Sequence, residues 1–417
     1  MNILAVSMAF PPLAYPRSIQ VARLLKNTED AIVLFCADES EARIDHSIEP
    51  DAEERLTDCI RIPVPGGSRI SSLVDRFTYR FARGMWNQNH LVPDTYGNWR
   101  DDVAAAVPRY LDDTGFRPDV IVTFAQPFSV HLIGMGLKQR FGLPWLAHFS
   151  DPWADNPFTP FDERTRNWNL QMEGRVAENA DMLVFTSTET VELFFRKYPA
   201  ALRKKARVLP QCFDPLLYSG TAAPSGTLKV RYLGNFYGRR TPRPLIAGLT
   251  RLYSEKPGLL ANISFELIGS GDQDETARLA ARLPAGLINA RSSVSYRESL
   301  DLMTTSDGLL ILDAPADLSV FLPSKLIDYI GAGRPILGIT PEGTAAGLIR
   351  ELGGSVADPE NLGEIASVLE KFIEVLAANR GKTGESVLGT AEVRERFTAK
   401  RVAGDFSSML KELKVLH

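Results

Sequence analysis

The sequence predicts an α/β protein made of two doubly wound domains. Short β-branched and apolar runs alternate with longer segments of helical periodicity, which is typical of βαβ units around a parallel sheet. The alternation stops near "SGTAAPSGT", residues 219 to 227, and then starts again. The length of 417 residues suits two domains of roughly 100 to 200 residues each. Such sheets bind ligands at the carboxyl ends of their strands, so two facing domains imply a central cleft.

The predicted strands follow in order along the chain. In the first half they are "ILAVS", "AIVLFCA", "DVIVTFA", "WLAHFS" and "MLVFTS", and in the second half "LKVRYLGN", "ISFELIGSG", "SSVSY", "GLLILD" and "PILGI". The proline-containing stretch of small residues between the halves is typical of a linker. We therefore expect a first domain over residues 1 to 218 and a second over residues 226 to 391. Near the C-terminus, "AEVRERFTAKRVAGDFSSMLKEL" predicts one long helix.

Composition narrows the class of protein. Hydrophobic residues make up 44% and charged residues 24%, as in ordinary globular proteins, and the net charge of -4 gives no reason to expect a nucleic-acid partner. Cys36, Cys59 and Cys212 are too far apart in sequence for a short metal-binding motif, and their odd number argues against a disulfide framework. They predict reduced thiols in a cytoplasmic protein. The opening residues lack a basic leader, and no run approaches the roughly 20 apolar residues of a membrane-spanning helix.

One helical segment of the second half carries a charged pair. In "FLPSKLIDYIGAGRPILGI", residues 321 to 339, Ser324 is a candidate N-cap and two glycines end the helix. Lys325 and Asp328 share one face through their i,i+3 spacing, at a helix N-terminus that favours an anion. The pair predicts a nucleotide site, with a diphosphate on Lys325 and a ribose on Asp328. A surface Lys–Asp pair worth a few tenths of a kcal/mol is the alternative.

Two glycine loops follow strands of the same half. "YLGNFYGRRTPRPL" places Arg239 and Arg240 between a strand and a helix N-terminus, which predicts a phosphate-facing loop. A solvated basic turn is the alternative. "LIGSGD" ends another strand with Gly269 and Gly271, but Asp274 stands where a dinucleotide fingerprint needs its third glycine. The pattern therefore does not favour an NAD enzyme.

At these motifs the chain resembles bacterial GT-B glycosyltransferases, especially the family 4 type that builds cell-surface polysaccharides. "YLGNFYGRRTPRPL", "LIGSGD", "VSYRESLDLM" and "PSKLIDYIGAGRPIL" are similar, in order and spacing, to that family's nucleotide-sugar-binding half. "FPPLAYPRSIQVARLLK" and "WLAHFSDPWADNPF" resemble its opening loop and the strand that faces the donor domain. The resemblance implies two Rossmann-like domains facing a cleft, with a C-terminal helix, residues 392 to 417, completing the first domain.

The resemblance also implies roles for single residues of the second half. Arg240 and Lys325 would contact the diphosphate, with Arg239 a weaker candidate, and Asp328 would contact the ribose. Gly234 and Asn235 would lie near the phosphates or the sugar, and Tyr296 near the base. Many family members carry two glutamates with seven residues between them, whereas here the first position is Val320 and the second is Asp328. The missing acid usually contacts the transferred sugar. Asp313 and Asp317 are candidate substitutes.

In the first half, "AHFSDPWADNPF" carries the candidate catalytic residues. His148 and Ser150 alternate with apolar residues of a strand, and Asp151 stands at its carboxyl end, where α/β active sites are built. Asp151 could accept the proton of an acceptor hydroxyl. A core histidine and an aspartate that caps the next turn are the alternatives. Arg17 and Ser18 open the helix after the first strand, where Arg17 is either an anion contact in the cleft or a surface arginine.

Residues 68 to 86, "SRISSLVDRFTYRFARGMW", predict a basic amphipathic helix. Such a helix can lie on an anionic membrane. The same pattern is typical of a helix that packs on its own core with solvated arginines. Peripheral membrane contact would suit a lipid-linked acceptor at the inner face of the cell membrane.

The resemblance, together with these features, implies a metal-independent, retaining glycosyltransferase of the hexosyltransferase type without a cofactor. The donor would be a nucleoside diphosphate sugar, UDP-linked, and the acceptor a saccharide, lipid-linked, in cell-surface polysaccharide biosynthesis. Two other interpretations stay open. A nucleotide-sugar epimerase can share this architecture, and a non-catalytic nucleotide-sugar-binding protein would tolerate Val320.

Overall fold

The computed structural model describes residues 1–38, 44–64, 94, 96–159, 161–218, 226–269, 271–378, 388–389 and 391–415. The chain forms two compact units, one of Met1–Pro210 with Val402–His417 and the other of Gln211–Arg401. The predicted fold class, two doubly wound α/β domains, is confirmed. The amphipathic segment 68 to 86 and most of the predicted linker, residues 219 to 225, lie outside the described residues.

The described part of the first unit is built on a seven-stranded parallel sheet. Its strands are β1 (Asn2–Ser7), β2 (Ala31–Asp38), β3 (Asp58–Pro63), β4 (Val120–Phe124), β5 (Trp145–Phe149), β6 (Met182–Phe185) and β7 (Ala206–Val208). Their order across the sheet is β3-β2-β1-β4-β5-β6-β7, so the winding reverses between β1 and β4. Strands β4 and β5 are fully buried, because helices cover both faces of the sheet. The carboxyl ends of β1, β4 and β5 therefore meet at one edge, where ligands bind in such folds.

Helices connect these strands, and two of them are capped by local side chains. The helices are α1 (Pro16–Lys26), α2 (Gly97–Thr114), α3 (Ser129–Phe141), α4 (Glu163–Asn179) and α5 (Thr188–Phe195), with 3-10 turns at Glu53–Arg55 and Ala200–Lys205. The Asp162 side chain accepts from the backbone N–H of Thr165 at 2.8 Å, and Ser187 accepts from that of Thr190 at 3.1 Å. Both bonds satisfy amides at helix starts that would otherwise lack partners.

The described part of the second unit has a six-stranded parallel sheet. Its strands are β8 (Leu228–Leu233), β9 (Ile263–Ile268), β10 (Ile288–Arg291), β11 (Gly308–Leu312), β12 (Ile336–Ile339) and β13 (Ser355–Ala357), in the order β10-β9-β8-β11-β12-β13. Alternate residues of one strand enter two cores, since side chains point to opposite faces. Val230 and Tyr232 of β8 lie in one core and Leu233 in the other.

The helices of this unit bring the loops to the carboxyl edge of its sheet. They are α6 (Arg243–Glu255), α7 (Gln273–Ala280), α8 (Tyr296–Thr304), α9 (Ser324–Ala332), α10 (Thr344–Glu351), α11 (Leu362–Ala378) and α12 (Ala391–Glu395), with 3-10 turns at Pro215–Leu217 and Pro257–Leu260. Ser295 caps α8 by accepting from the N–H of Glu298 at 3.2 Å. Gly333 ends α9 in the left-handed region at φ +65°, a conformation that favours glycine.

Two predicted elements are corrected by the structure. "SSVSY" is not a strand, because β10 ends at Arg291 and the next residues lead to the cap of α8. The C-terminal pattern is not one helix, because α12 ends at Glu395 and the last helix, α13 (Ala399–Val415), begins four residues later. Between them the carbonyl of Phe397 and the amide of Ala399 bond the backbone of Phe213. These groups are then unavailable to a continuous helix.

Most of α13 belongs to the first unit. Ser407 donates to Asp30 at 3.3 Å, Lys414 pairs with Asp119 at 2.9 Å, and Phe406 packs against Phe124 with ring centroids 6.4 Å apart. The segment Gln211–Tyr218, expected in the first domain, lies in the second unit. Among the described residues, no helix is both long and apolar enough to cross a membrane.

Candidate active site

Two glycine loops meet at the carboxyl edge of the second sheet. Gly269, after β9, has φ +156°, and a Cβ there would overlap the carbonyl of Gly234, after β8. A Cβ on Gly234 would in turn overlap the Nζ of Lys325. Gly271 is less constrained, since a Cβ there would lie 3.0 Å from the Phe236 ring. The backbone therefore requires glycine at position 269, whereas the absence of a side chain at Gly234 leaves space for the amine of Lys325.

Lys325 occupies the space that Gly234 leaves open. Its Nζ donates to the Oη of Tyr232 at 3.0 Å and lies 4.3 Å from the centroid of the same ring. Burial, and then the charge of Arg240, lowers the pKa of Lys325 to about 7, while Asp313 opposes part of this change. The amine is thus balanced between its two charge states near neutral pH, and an anion beside it would favour the cation.

Arg240 is the second cation of this edge. Its Nη2 donates to Oδ1 of Asp313 at 2.7 Å, and its Nη1 donates to the Oη of Tyr237 at 3.0 Å. The other oxygen of Asp313 accepts from the Oγ1 of Thr340 at 3.0 Å. Within the described part of the chain, the Nε of Arg240 has no hydrogen-bond partner. The carboxylate of Asp313 thus pairs with Arg240 and acts on Lys325 through its charge alone, and one donor of Arg240 remains for an anionic ligand.

Arg239 differs from its neighbour. Its side chain is 68% exposed and contacts Glu360 at 3.5 Å, whereas that of Arg240 is 16% exposed. An ion pair this exposed contributes little to the free energy of folding. The structure places Arg240 with Lys325 and leaves Arg239 in solvent.

Helix α9 presents Lys325 and Asp328 to different partners. Oδ1 of Asp328 accepts from the Oη of Tyr218 at 2.6 Å, and Asp328 is buried. The alternative of a surface pair therefore does not describe it. The predicted N-cap is wrong by one position, because Pro323 is the N-cap and Ser324 is the first helical residue.

The remaining donor-side candidates make fewer side-chain contacts with Lys325 and Arg240. The backbone carbonyl of Asn235 accepts from Tyr232 Oη at 3.2 Å, and Tyr296 opens α8 partly buried against a core. Val320 is buried, and Asp317 is exposed on its loop. Of the candidate acids, Asp313 is the one that the structure brings to the cations.

At the carboxyl edge of the first sheet, Asp151 follows β5 and is held by neutral donors. Its Oδ2 accepts from Nε2 of Gln126 at 3.0 Å and from the Oγ of Ser150 at 3.1 Å. Burial raises the pKa of Asp151, while the bond from Ser150 and the charge of Arg17 oppose part of the rise. A carboxylate with a raised pKa is a better proton acceptor than an ordinary surface aspartate.

Arg17 and His148 form a buried pair behind this edge. Nη2 of Arg17 donates to Nδ1 of His148 at 2.9 Å and to its carbonyl at 3.1 Å, and Nη1 donates to Gln20 at 3.1 Å. Burial, and then the charge of Arg17, holds the pKa of His148 well below its ordinary value, so the imidazole is neutral. Burial lowers the pKa of Arg17 to about 9. The alternative of a surface arginine therefore does not apply to Arg17, and Ser18 beside it is also buried.

The loop after Asp151 is fastened to α4. The buried carboxylate of Glu173 accepts from the Ala154 amide at 2.8 Å and pairs with Lys197 at 2.8 Å. Trp153 donates to Asn169 at 3.0 Å and stacks on Phe128 with centroids 4.8 Å apart. These contacts fix the chain immediately after the candidate base.

The sequence alone missed several partners. Tyr232, Tyr218 and Thr340 contact the donor-side candidates, and Gln126 contacts Asp151. Thr340 directly follows the buried strand β12, and Gln126 is the second residue after the buried strand β4; such positions indicate ligand-facing residues in a doubly wound sheet. The two tyrosines carry no such signal. Among the described residues, no cluster of three or more His, Cys, Asp and Glu side chains has the geometry of a metal site.

Comparisons with known proteins identify the architecture. Residues 17–211 match the family model described as "Glycosyl transferase 4-like domain". HepE from Anabaena, solved with UDP and glucose, is 14% identical with a TM-score of 0.65, and the alignment covers 99% of this chain and 100% of that one. Sucrose-phosphate synthase from Thermosynechococcus elongatus is 15% identical with a TM-score of 0.69, covering 100% of both chains.

A third structure agrees with these two. The apo form of the lipopolysaccharide outer core galactosyltransferase WaaB is 13% identical with a TM-score of 0.62, covering 99% of both chains. A search of curated protein sequences finds no match. The resemblance stated from the motifs is confirmed: residues 17–211 match the model described as "Glycosyl transferase 4-like domain", and the chain as a whole has the GT-B fold of these solved glycosyltransferases.

Proposed function

We propose that this glycosyltransferase moves a sugar from a UDP-linked donor to a hydroxyl of a saccharide acceptor. The observation that carries the proposal is the pair of cations beside Gly234, the residue that follows β8: Arg240, which is paired with Asp313, and Lys325, whose pKa is affected by the charges of both. Structures of HepE hold UDP and glucose, or UDP-glucose, and an E. coli structure is bound with UDP-2-fluoro glucose. These neighbours support a nucleotide-sugar donor.

The diphosphate would lie on Lys325, on the free Nε of Arg240 and on the first amides of α9. Helix N-termini and guanidinium groups both bind phosphate oxygens. The same groups would offset the negative charge that develops on the leaving diphosphate, so the proposed reaction needs no metal ion. Asp328 would receive the ribose hydroxyls, with Tyr218 holding its carboxylate in place.

Asp151 would act on the acceptor side. Gln126 and Ser150 fix one of its oxygens, which leaves the other to accept a proton or to stabilise positive charge on the sugar. His148, neutral and bonded to Arg17, would position the strand end rather than transfer a proton. Retention of configuration remains part of the proposal and is checked by the anomer of the product.

The proposed acceptor is a lipid-linked saccharide of a cell-surface polysaccharide, met by a cytoplasmic protein at the inner face of the membrane. WaaB, described as a lipopolysaccharide galactosyltransferase, supports a saccharide carried on a lipid. The basic segment 68 to 86 is the proposed membrane contact.

A thermal-shift titration of the purified protein tests the donor class. UDP, GDP, ADP, TDP and NAD are compared, because a ligand that binds only the folded state raises its apparent stability by mass action. We expect a selective rise in Tm with UDP. A rise with NAD alone, or with none of the five, contradicts the proposal.

Turnover then separates the three interpretations. Incubation with UDP-glucose and a saccharide acceptor should release UDP only when the acceptor is present. Formation of an isomeric nucleotide sugar from the donor alone would show an epimerase. Full UDP affinity without turnover on a panel of saccharide and lipid-linked acceptors would show a binding protein.

A further inference from the structure

Two cysteines from neighbouring strands meet at the outer edge of the first sheet. Strands β2 and β3 run parallel, with Leu34 opposite Cys59 and Cys36 opposite Arg61. The side chains of the two cysteines lie diagonally on one face, and their Sγ atoms are 3.6 Å apart. Both thiols are free, Cys36 is buried and Cys59 is half-buried. No step of the proposed glycosyl transfer uses them.

The position of the pair allows the sulfurs to come closer. A disulfide requires an S–S distance of about 2.05 Å, so the sulfurs must approach by about 1.5 Å. Among the strands that the structure describes, β3 is the last on its side of the sheet, and it is only partly buried. An edge strand has hydrogen-bonded strands on one side only, so it can shift at lower cost than a central one.

The surroundings distinguish the two thiols. Nη1 of Arg61 lies 3.8 Å from the Sγ of Cys36, and Nη2 donates to the carbonyl of Pro11 at 2.8 Å. The hydrogen bond with Cys59, and then burial, raises the pKa of Cys36 well above its ordinary value, while Arg61 opposes part of the rise. Cys36 therefore stays protonated while its neighbour reacts. The half-buried Cys59 is the sulfur that a reagent in solution reaches first.

We propose that Cys36 and Cys59 form a thiol modification site that low-molecular-weight disulfides convert to an intramolecular disulfide. The Cys59 thiolate attacks one sulfur of glutathione disulfide, whose S–S bond breaks and releases one glutathione thiolate. Cys36 then loses its proton and attacks the Cys59 sulfur of the mixed disulfide, which releases the second glutathione. Two protein thiols are oxidised, one glutathione disulfide is reduced to two thiols, and the two protons leave on the glutathione molecules.

Thiol titration of the full chain with Ellman's reagent in denaturant, after incubation with glutathione disulfide, tests the site. The chain has three cysteines, and the free thiols should fall from three to one. The buried Cys212 provides the matched control, because Cys212→Ser should fall from two thiols to none. Cys59→Ser should keep both of its thiols.

Cys36→Ser separates the two steps. It removes the second nucleophile, so Cys59 should retain a glutathione that mass spectrometry detects and a reductant removes. Non-reducing proteolysis of the unsubstituted protein should give one linked pair of peptides containing Cys36 and Cys59. An unchanged count of three thiols, a disulfide between two chains, or equal thiol loss in Cys59→Ser would overturn the proposal.

Discussion

The two sheets end in edges with opposite charge character. In the first unit a single carboxylate, Asp151, is held by the neutral donors Gln126 and Ser150, and burial raises its pKa. In the second unit Arg240 is paired with Asp313, and burial, together with the charge of Arg240, lowers the pKa of the neighbouring Lys325 to about 7. Similar strand orders therefore carry a buried carboxylate at one edge and buried cations at the other, because the loops and not the sheets determine the chemistry of each edge.

The largest expected effect comes from removing the acid of the first edge. Asp151→Asn should lower kcat by about 100- to 10,000-fold, the range for a general acid or base, and leave the Kd for UDP unchanged. Steady-state kinetics and calorimetry measure the two quantities. Asp155→Asn is the control for loss of a carboxylate in the same loop, because Asp155 pairs with Lys197 at 2.6 Å and has a structural role. A wild-type kcat in Asp151→Asn would contradict the assignment of a proton acceptor to the carboxyl edge of the first sheet.

Removal of the lysine should affect the donor instead. Lys325→Ala should lower kcat/KM for the nucleotide sugar and the affinity for UDP by about 10- to 100-fold, because hydrogen bonds to charged groups contribute about 1.5–3 kcal/mol. Arg239→Ala should stay within about twofold, as expected of an exposed ion pair. Equal losses in the two variants would contradict the assignment of Lys325 to the diphosphate.

A smaller effect is expected from filling the space above β8. The methyl group of Gly234→Ala would displace the Nζ of Lys325 and should weaken UDP binding by about tenfold, the lower part of the range for overpacking. Gly347→Ala in α10 is the control, because a Cβ there meets nothing within 4 Å. It should leave UDP binding unchanged and stabilise the helix by about 0.5–1 kcal/mol. Unchanged UDP affinity in Gly234→Ala would show that UDP binding does not depend on the position of the Lys325 amine.

The mildest test varies pH. The pKa of free Lys325 is about 7, and a bound diphosphate should raise it. Below pH 7 the amine of Lys325 is already charged. Above pH 7 the amine must take up a proton when UDP binds. The affinity for UDP should therefore fall as pH rises above 7, by at most about tenfold per pH unit. Calorimetry in two buffers of different ionisation enthalpy should detect the proton uptake. Lys325→Ala should lack this dependence, and its persistence there would assign it to another group.

Local patterns predicted the elements and several of the site positions, but not most of their partners. The spacing of Lys325 and Asp328 and the glycines after β8 and β9 are readable because each depends on a few adjacent residues. The bonds from Lys325 to Tyr232 and from Tyr218 to Asp328 join residues 93 and 110 positions apart. No short window contains such a pair.

Weak patterns also explain the errors in secondary structure. Strand β10 is an edge strand with polar Asn289 and Arg291 in alternate positions, so its signal is weaker than that of the serine-rich stretch that follows. The break before α13 depends on a backbone bridge to Phe213, nearly two hundred residues earlier in the chain. Helical periodicity continues through the break, so the sequence predicts a continuous helix there.

Helix α13 has a consequence for the order in which the chain matures during synthesis. The first unit needs Ser407, Glu412 and Lys414 for its bonds to Asp30, Arg207 and Asp119. A ribosome delivers these residues only after the whole second unit has been made. Domains generally fold as units during synthesis, N-terminal first. Here we expect the N-terminal unit to remain incomplete during synthesis. The part of its core around Phe124 stays without its Phe406 contact until the ribosome has released the C-terminal helix.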